Sequence, residues 1–103
     1  ISLRRFVELT SSNPAKLFGM GPAKGSLTIG ADADVMLLDP KRRFKVITEE
    51  MQSKGDLDPY HGYESTGWPV LTMARGEVIV RDGKILSEPG RGRFLARGLH
   101  EAL

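Results

Sequence analysis

The stretch that decides the fold runs Val70-Leu71-Thr72-Met73-Ala74-Arg75-Gly76-Glu77-Val78-Ile79-Val80-Arg81-Asp82-Gly83-Lys84-Ile85-Leu86. Two β-rich runs, Val70 to Ala74 and Glu77 to Val80, flank Arg75-Gly76, the dipeptide of a tight hairpin turn. Asp82-Gly83 then turns the chain again into Lys84-Ile85-Leu86. Three consecutive antiparallel strands make a meander.

Working back from the meander, residues 49 to 69 read as irregular, because Gly55, Pro59, Gly62, Gly67 and Pro69 interrupt every pattern. Tyr60, Tyr63 and Trp68 within it predict a loop that packs down; a packing role is preferred to a ligand platform. Val35-Met36-Leu37-Leu38 is a short apolar run bounded by Asp34 and Asp39-Pro40, as expected of a strand buried on both faces. Phe44, Val46 and Ile47 are expected to pair with it beyond a Pro40-Lys41-Arg42 turn. Leu27-Thr28-Ile29 reads as a short extended piece ending at Gly30.

The first 24 residues are helical in pattern. Ser2 caps a helix whose apolar stripe is Leu3, Phe6, Val7 and Thr10; Ser11-Ser12 breaks it. Asn13-Pro14 restarts a second helix with Asn as N-cap and Pro at the first position, and Gly19 ends it. At the other end, Gly90-Arg91-Gly92-Arg93-Phe94-Leu95-Ala96-Arg97 predicts an extended arm with a frayed helical end.

Composition bounds the function. The 103 residues carry 15 basic and 13 acidic side chains, a net charge of +2 that is too small to imply nucleic acid or a membrane surface. There is no cysteine, so no disulfide and no thiolate metal site, in keeping with a reducing cytoplasm. No apolar run approaches the ~20 residues that span a bilayer. The sequence opens with Ile1 rather than Met, which is expected of a piece of a longer chain or of a processed product.

Residues able to do chemistry are sparse. His61 and His100 stand far apart without a histidine partner, and no H-x-H or H-E-x-x-H occurs. His61 reads as structural or exposed and His100 as solvated. Asp32 and Asp34 would share a face in a strand as an acid/base pair does. Set in Gly30-Ala31-Asp32-Ala33-Asp34, they read instead as turn-stabilising carboxylates. Ser11, Ser12, Ser26, Ser53, Ser65 and Ser87 lack a G-x-S-x-G elbow. Gly90-x-Gly92 lacks the third glycine of a dinucleotide loop. The expectation is no catalytic, cofactor-binding or metal residue in this chain.

Several phrases, taken in order, resemble the cyclic amidohydrolases. Asn13-Pro14-Ala15-Lys16-Leu17-Phe18-Gly19, Lys24-Gly25-Ser26-Leu27 and Gly30-Ala31-Asp32-Ala33-Asp34-Val35, running to Leu38-Asp39-Pro40, resemble the C-terminal region of that superfamily. Asp58-Pro59-Tyr60-His61-Gly62, Thr66-Gly67-Trp68-Pro69-Val70, Arg75 to Gly83 and Gly90-Arg91-Gly92-Arg93-Phe94-Leu95 narrow it to the dihydropyrimidinase/hydantoinase branch. The resemblance implies a parent enzyme with a TIM-like α/β barrel and a small composite β-sandwich. Its two metal ions, usually zinc, would be held by histidines, an aspartate and a carboxylated lysine, all upstream of the matched region. A metal-bridging hydroxide would attack the ring amide there.

On that resemblance, residues 1–24 are expected to be the last helical elements against the barrel. Residues 25–89 are part of the sandwich, and 90–103 are a C-terminal arm, with Arg93, Phe94 and Leu95 the candidate contact to another subunit of a homo-oligomer. The sandwich strands carried elsewhere in the parent would be its partners. Without them, edges and an apolar face stay open, and the isolated chain is expected to pair with a copy of itself or to fold poorly. Two other readings stay open. One is a non-enzymatic dihydropyrimidinase-like scaffold; the other is a further amidohydrolase such as a dihydroorotase or an allantoinase. A standalone binding module fits less well.

Overall fold

The computed structural model describes residues 1–52, 54–55 and 57–100; Ser53 and the last three residues of the expected arm lie outside them. Helix formation begins as the sequence predicts. The side chain of Ser2 accepts from the Arg5 backbone N–H, and helix α1 runs Leu3–Val7. The expected break at Ser11-Ser12 does not occur. A π-helical turn, Glu8–Ser12, carries the helix straight into α2, Asn13–Leu17. Asn13 is therefore no N-cap: its backbone is helical, and its N–H donates to Glu8 O, five residues back. Pro14 has no N–H to offer Thr10, and the wider turn just before it absorbs that loss. One helical run therefore replaces the two predicted helices.

The end of this run is as predicted. Gly19 takes the left-handed conformation (φ 62°), with Gly19 N donating to Lys16 O and Met20 N to Ala15 O. Those two bonds are the Schellman arrangement, which satisfies carbonyls the helix leaves open.

Four strands follow in one antiparallel sheet of order β1-β2-β3-β4: β1 Val35–Lys45, β2 Glu64–Ala74, β3 Glu77–Arg81 and β4 Lys84–Ile85. The meander β2-β3-β4 is as expected. Both of its turns have two successive positive φ angles, Arg75 (50°) with Gly76 (80°) and Asp82 (48°) with Gly83 (78°), the geometry that matches strand twist in two-residue hairpins.

Two expectations about β1 and β2 are corrected. Pro40-Lys41-Arg42 is not a turn between two paired strands. It is a bulge inside one strand, lying between the Asp39↔Trp68 and Arg43↔Thr66 pairs, opposite Gly67. Pro40 cannot join the ladder, and Asp39 Oδ1 accepts from the Lys41 N–H at 2.9 Å, so three residues loop out and the strand resumes in the same direction. Likewise, Thr66-Gly67-Trp68-Pro69 is not loop but the first half of β2. Gly67 faces the bulge and Pro69 sits beside a second irregularity, where the ladder needs no regular donor. Leu27-Thr28-Ile29 joins no sheet, and residues 91–100 have no regular secondary structure, so the expected helical end is not found among the described residues.

Burial is slight. Among the described residues Ala15, 6% exposed, is the only buried hydrophobic side chain. Met36 and Leu37, expected to be buried, are 47% and 51% exposed. The chain leaves 8514 Å² accessible, against about 5,700 Å² for a folded protein of its 11.3 kDa. No helix among the described residues is long and apolar enough to cross a membrane.

Candidate functional site

Asp34 joins three parts of the molecule. Its carboxylate takes Lys24 Nζ and, through Oδ1, the backbone N–H of Arg75 at 2.8 Å. Asp32 Oδ2 lies 2.7 Å from the same Lys24 Nζ. Gly76 N donates to Ala33 O at 3.0 Å and Asp32 N to Ala23 O at 2.9 Å. The segment after the helix, the entry to β1 and the β2–β3 turn are thereby tied together. Hydrogen bonding to Lys24, and then to the Arg75 N–H, holds the Asp34 carboxyl below its usual range. Hydrogen bonds to Asp32 and Asp34 hold Lys24 above its own. The two carboxylates share one cation, which makes them a brace. The turn-stabilising reading holds for Asp34, although the turn it holds is that of Arg75, 41 positions away, which has no local signature; the Asp32 carboxylate meets the Lys24 ammonium instead of a backbone N–H.

A second cluster lies in the loop between β1 and β2. Thr48 N–H donates to His61 Nδ1 at 3.2 Å, and Thr48 Oγ1 lies 2.7 Å from the same nitrogen. Thr48 Oγ1 is also 3.2 Å from Asp58 Oδ2, and Asp58 Oδ1 accepts from Tyr60 N–H. A backbone N–H only donates, so Nδ1 accepts and neutral His61 carries its proton on Nε2. This set resembles a nucleophile–base–carboxylate group only in composition: both His61 and Asp58 converge on Thr48, so no relay runs through the histidine. Of the three aromatics expected to pack down, Trp68 does so, stacked on Phe44 with ring centroids 3.5 Å apart and planes 13° apart; Tyr60 and Tyr63 are instead 66% and 63% exposed. The sequence reading missed Thr48 and Asp58; Asp58-Pro59-Tyr60 is an Asx-turn signature that would have found the second.

The residues present do not fit a two-metal centre. Among the described residues no three His, Cys, Asp or Glu side chains converge on one point. His61 is committed to Thr48 through Nδ1 and the exposed His100 stands apart from it.

The arm is fastened at two points. Arg91 pairs with Glu77 Oε2 at 3.0 Å and donates to Ala74 O at 2.8 Å, and its own carbonyl accepts from the Arg75 guanidinium. Gly98 N donates to Gly19 O at 2.7 Å. A side chain on Gly19, whose φ is positive, would strike the Gly98 carbonyl, so the crossing needs glycine at position 19. Between these points Phe94 is 95% exposed and Leu95 38%. Arg93, Phe94 and Leu95 therefore face outward from this chain.

One uncovered feature beside the helix is mainly apolar. A cleft of about 590 Å³ opens between the helix and the start of β1, lined by Phe6, Val7, Phe18, Leu27 and Met36 around Ala15. A surface of this kind is built to be covered.

Residues 1–79 match the Amidohydrolase family. The chain is 45% identical over 97 residues to D-phenylhydantoinase of Escherichia coli O1:K1 / APEC, a match covering 94% of this chain and 21% of that protein. It is 44% identical over 102 residues to L-hydantoinase of Paenarthrobacter aurescens, covering 99% of this chain and 22% of that one. Among solved structures it superposes on a D-hydantoinase with a TM-score of 0.90 at 42% identity, over 94% of this chain and 21% of the other. On dihydropyrimidinase from Brevibacillus agri NCHU1002 the TM-score is 0.93 at 35% identity, over 99% and 22%. The chain thus spans about a fifth of the length of these relatives. The superpositions extend over nearly the whole chain, and the chain belongs to the amidohydrolase family, beside its hydantoinases and dihydropyrimidinases.

Proposed function

We propose that this chain is the non-catalytic, C-terminal part of a metal-dependent cytoplasmic hydrolase that opens cyclic amides of the hydantoin and dihydropyrimidine type. The observation that carries the reading is the 45% identity over 97 residues to a D-phenylhydantoinase. In this reading residues 1–24 pack on the catalytic barrel, 25–89 belong to the β-sandwich, and 90–103 reach a neighbouring subunit through Arg93, Phe94 and Leu95. The open cleft and the poor burial of β1 support it, since such faces call for cover from elsewhere in the protein. The chain's own contribution is mechanical: the Lys24–Asp32–Asp34 brace and the Arg91 fastening hold helix, sheet and arm as one packing surface. The metal ions and the groups that move protons belong to the remainder.

The test is to assay the longer protein bearing this sequence with a hydantoin, a dihydropyrimidine, dihydroorotate and allantoin, before and after chelation, beside the 103-residue chain alone. Ring opening of the first two substrates, lost on chelation and absent from the short chain, is the expected result. Turnover of dihydroorotate or allantoin alone would move the assignment to another amidohydrolase. No turnover of any would favour the scaffold, and activity in the short chain would refute its non-catalytic role.

A further inference from the structure

We propose that His61 is a proton-operated latch of the loop between β1 and β2. Its neutral ring closes the loop by accepting the Thr48 backbone N–H, and its protonated ring releases that N–H. The proposal is independent of the chemistry proposed above.

The first observation is how the loop is built. At its base Val46 N donates to Tyr63 O at 2.9 Å, and Gly62 N donates to Val46 O at 2.8 Å. Above that base stand two turns, each held by its own bonds. One is the 3-10 turn Thr48–Glu50, in which Glu50 N donates to Ile47 O and Met51 N to Thr48 O. The other runs from residue 58 to 63. There His61 N donates to Asp58 O, Tyr63 N to Tyr60 O, and Tyr60 N to Asp58 Oδ1. The two turns meet at Thr48, through its contacts with His61 Nδ1 and Asp58 Oδ2. Because each turn is held independently, the joint between them opens without unfolding either.

The second observation is the polarity of that joint. The Thr48 N–H is a fixed donor, so it needs the lone pair of Nδ1, 3.2 Å away. A proton taken from solvent onto Nδ1 occupies that lone pair and sets two N–H groups head to head. The ring must then turn away from the N–H. Thr48 Oγ1, 2.7 Å from Nδ1, is the acceptor at hand, and its own O–H is in reach of Asp58 Oδ2. Protonation thus exchanges a main-chain partner for a side-chain one and leaves the amide of the half-buried Thr48 without its acceptor. The other charged or titratable side chains on the adjoining elements are Glu49 and Glu50 on the 3-10 turn, Lys54 between the turns, Asp58, Tyr60 and Tyr63 on the second turn, and Lys45 and Glu64, paired at the base. Imidazole is the side-chain type whose charge ordinarily changes between about pH 5 and 8, whereas carboxyls, phenols and ammonium groups ordinarily titrate outside that range.

The test is amide hydrogen exchange of the longer protein bearing this sequence, read by mass spectrometry at Thr48 and corrected for the intrinsic pH dependence of exchange. Between about pH 8 and about pH 5.5, protection of the Thr48 amide should fall on the order of tenfold, the fold-change that one lost hydrogen bond gives. The β2–β3 hairpin, residues 70–81, should not change. His61→Asn puts a carbonyl oxygen, Oδ1, at the place of Nδ1 on the side chain and cannot take up the proton. It should keep Thr48 protected at both pH values. Thr48→Val keeps the N–H and removes the hydroxyl, so it should keep the pH response. Protection that ignores pH, or that falls equally in the hairpin, would overturn the proposal. So would a pH response that survives His61→Asn, a His61→Asn variant unprotected at both pH values, or a response that vanishes in Thr48→Val.

Discussion

Asp34 and Arg75, 41 positions apart, are joined by a 2.8 Å hydrogen bond from the Arg75 backbone N–H to Oδ1. Arg75 has a positive φ of 50°, a conformation that side chains other than Gly, Asn and Asp seldom take. The carboxylate compensates for this local strain by holding the turn from outside. Because Lys24 and Arg75 keep the folded-state carboxyl below its ordinary value, the unfolded state binds the proton more tightly. Asp34 therefore stabilises the fold above about pH 4, and that stability drains away as pH falls through the lower, folded value. Lys24 works in the opposite sense. Its pKa is raised in the fold, so its contribution is complete below about pH 10 and is lost at higher pH. The Asp34 side chain is 39% exposed, and screening limits the effect to about 1 kcal/mol or less. Urea titrations of the chain and of Asp34→Asn at several pH values check this: the variant should be less stable at neutral pH and should lose the acid-side slope.

Gly25 tests packing in the same region. Its φ is +86°, and a methyl group there would overlap the Cβ of Ala15, the one buried hydrophobic residue among those described. Gly30 has a similar φ of +96° but open space around it. Gly30→Ala should therefore cost only backbone strain, about 1 kcal/mol. Gly25→Ala adds a steric clash and should cost about 2–4 kcal/mol. Equal losses in thermal or chemical denaturation would show that the helix does not pack on this turn.

What could be read from the sequence, and what could not, divides along the range of the forces involved. Ser2, Gly19, Arg75-Gly76 and Asp82-Gly83 act within four or five residues, and their caps and turns were legible. Pro40, Gly67 and Pro69 are locally strand-breaking, so the chain was read as turning or looping where it runs on as strand. The tertiary fact that overrides them is that the bulge in β1 and the glycine in β2 face each other. Ser11-Ser12 and Asn13-Pro14 look like an end and a start, but one widened turn accommodates Pro14 at lower cost than two new termini. Of the clusters, the carboxylates of Asp32 and Asp34 were found but Lys24, their cation, was not, because nothing in a separation of eight or ten residues marks the pair.

Trp68 is the single tryptophan, which makes its stack on Phe44 directly observable. Phe44 and Trp68 lie on opposite sides of the bulge, and their contact bridges the gap that Pro40-Lys41-Arg42 leaves in the ladder. Phe44→Ala should red-shift the fluorescence as the indole gains water. It should cost about 0.5–1.5 kcal/mol beyond the loss of buried area. An unshifted emission spectrum would mean that the two rings do not stack in solution.

The arm offers the last test. Arg91 is the hinge point of residues 91–98: its guanidinium meets Glu77 and Ala74 O while its carbonyl meets Arg75. The Glu77 pair alone is worth little, since Glu77 is 57% exposed. The bond to a main-chain carbonyl adds a charge-assisted contact at a half-buried site. Arg91→Ala removes both, leaving the Arg75 guanidinium on the carbonyl of residue 91 and Gly98 on Gly19 as the fastenings described. Trypsin needs a flexible, extended segment to cut after Arg93 and Arg97, and local opening sets how often it finds one. Arg91→Ala should therefore raise the cleavage rate at both sites severalfold while lowering global stability by only about 1 kcal/mol. Gly19→Ala, whose Cβ would strike the Gly98 carbonyl and force the crossing apart, should accelerate cleavage at Arg97 more than at Arg93. Unchanged proteolysis in both variants would mean that the arm is already free, and that its outward Phe94 and Leu95 are not held in position for a partner.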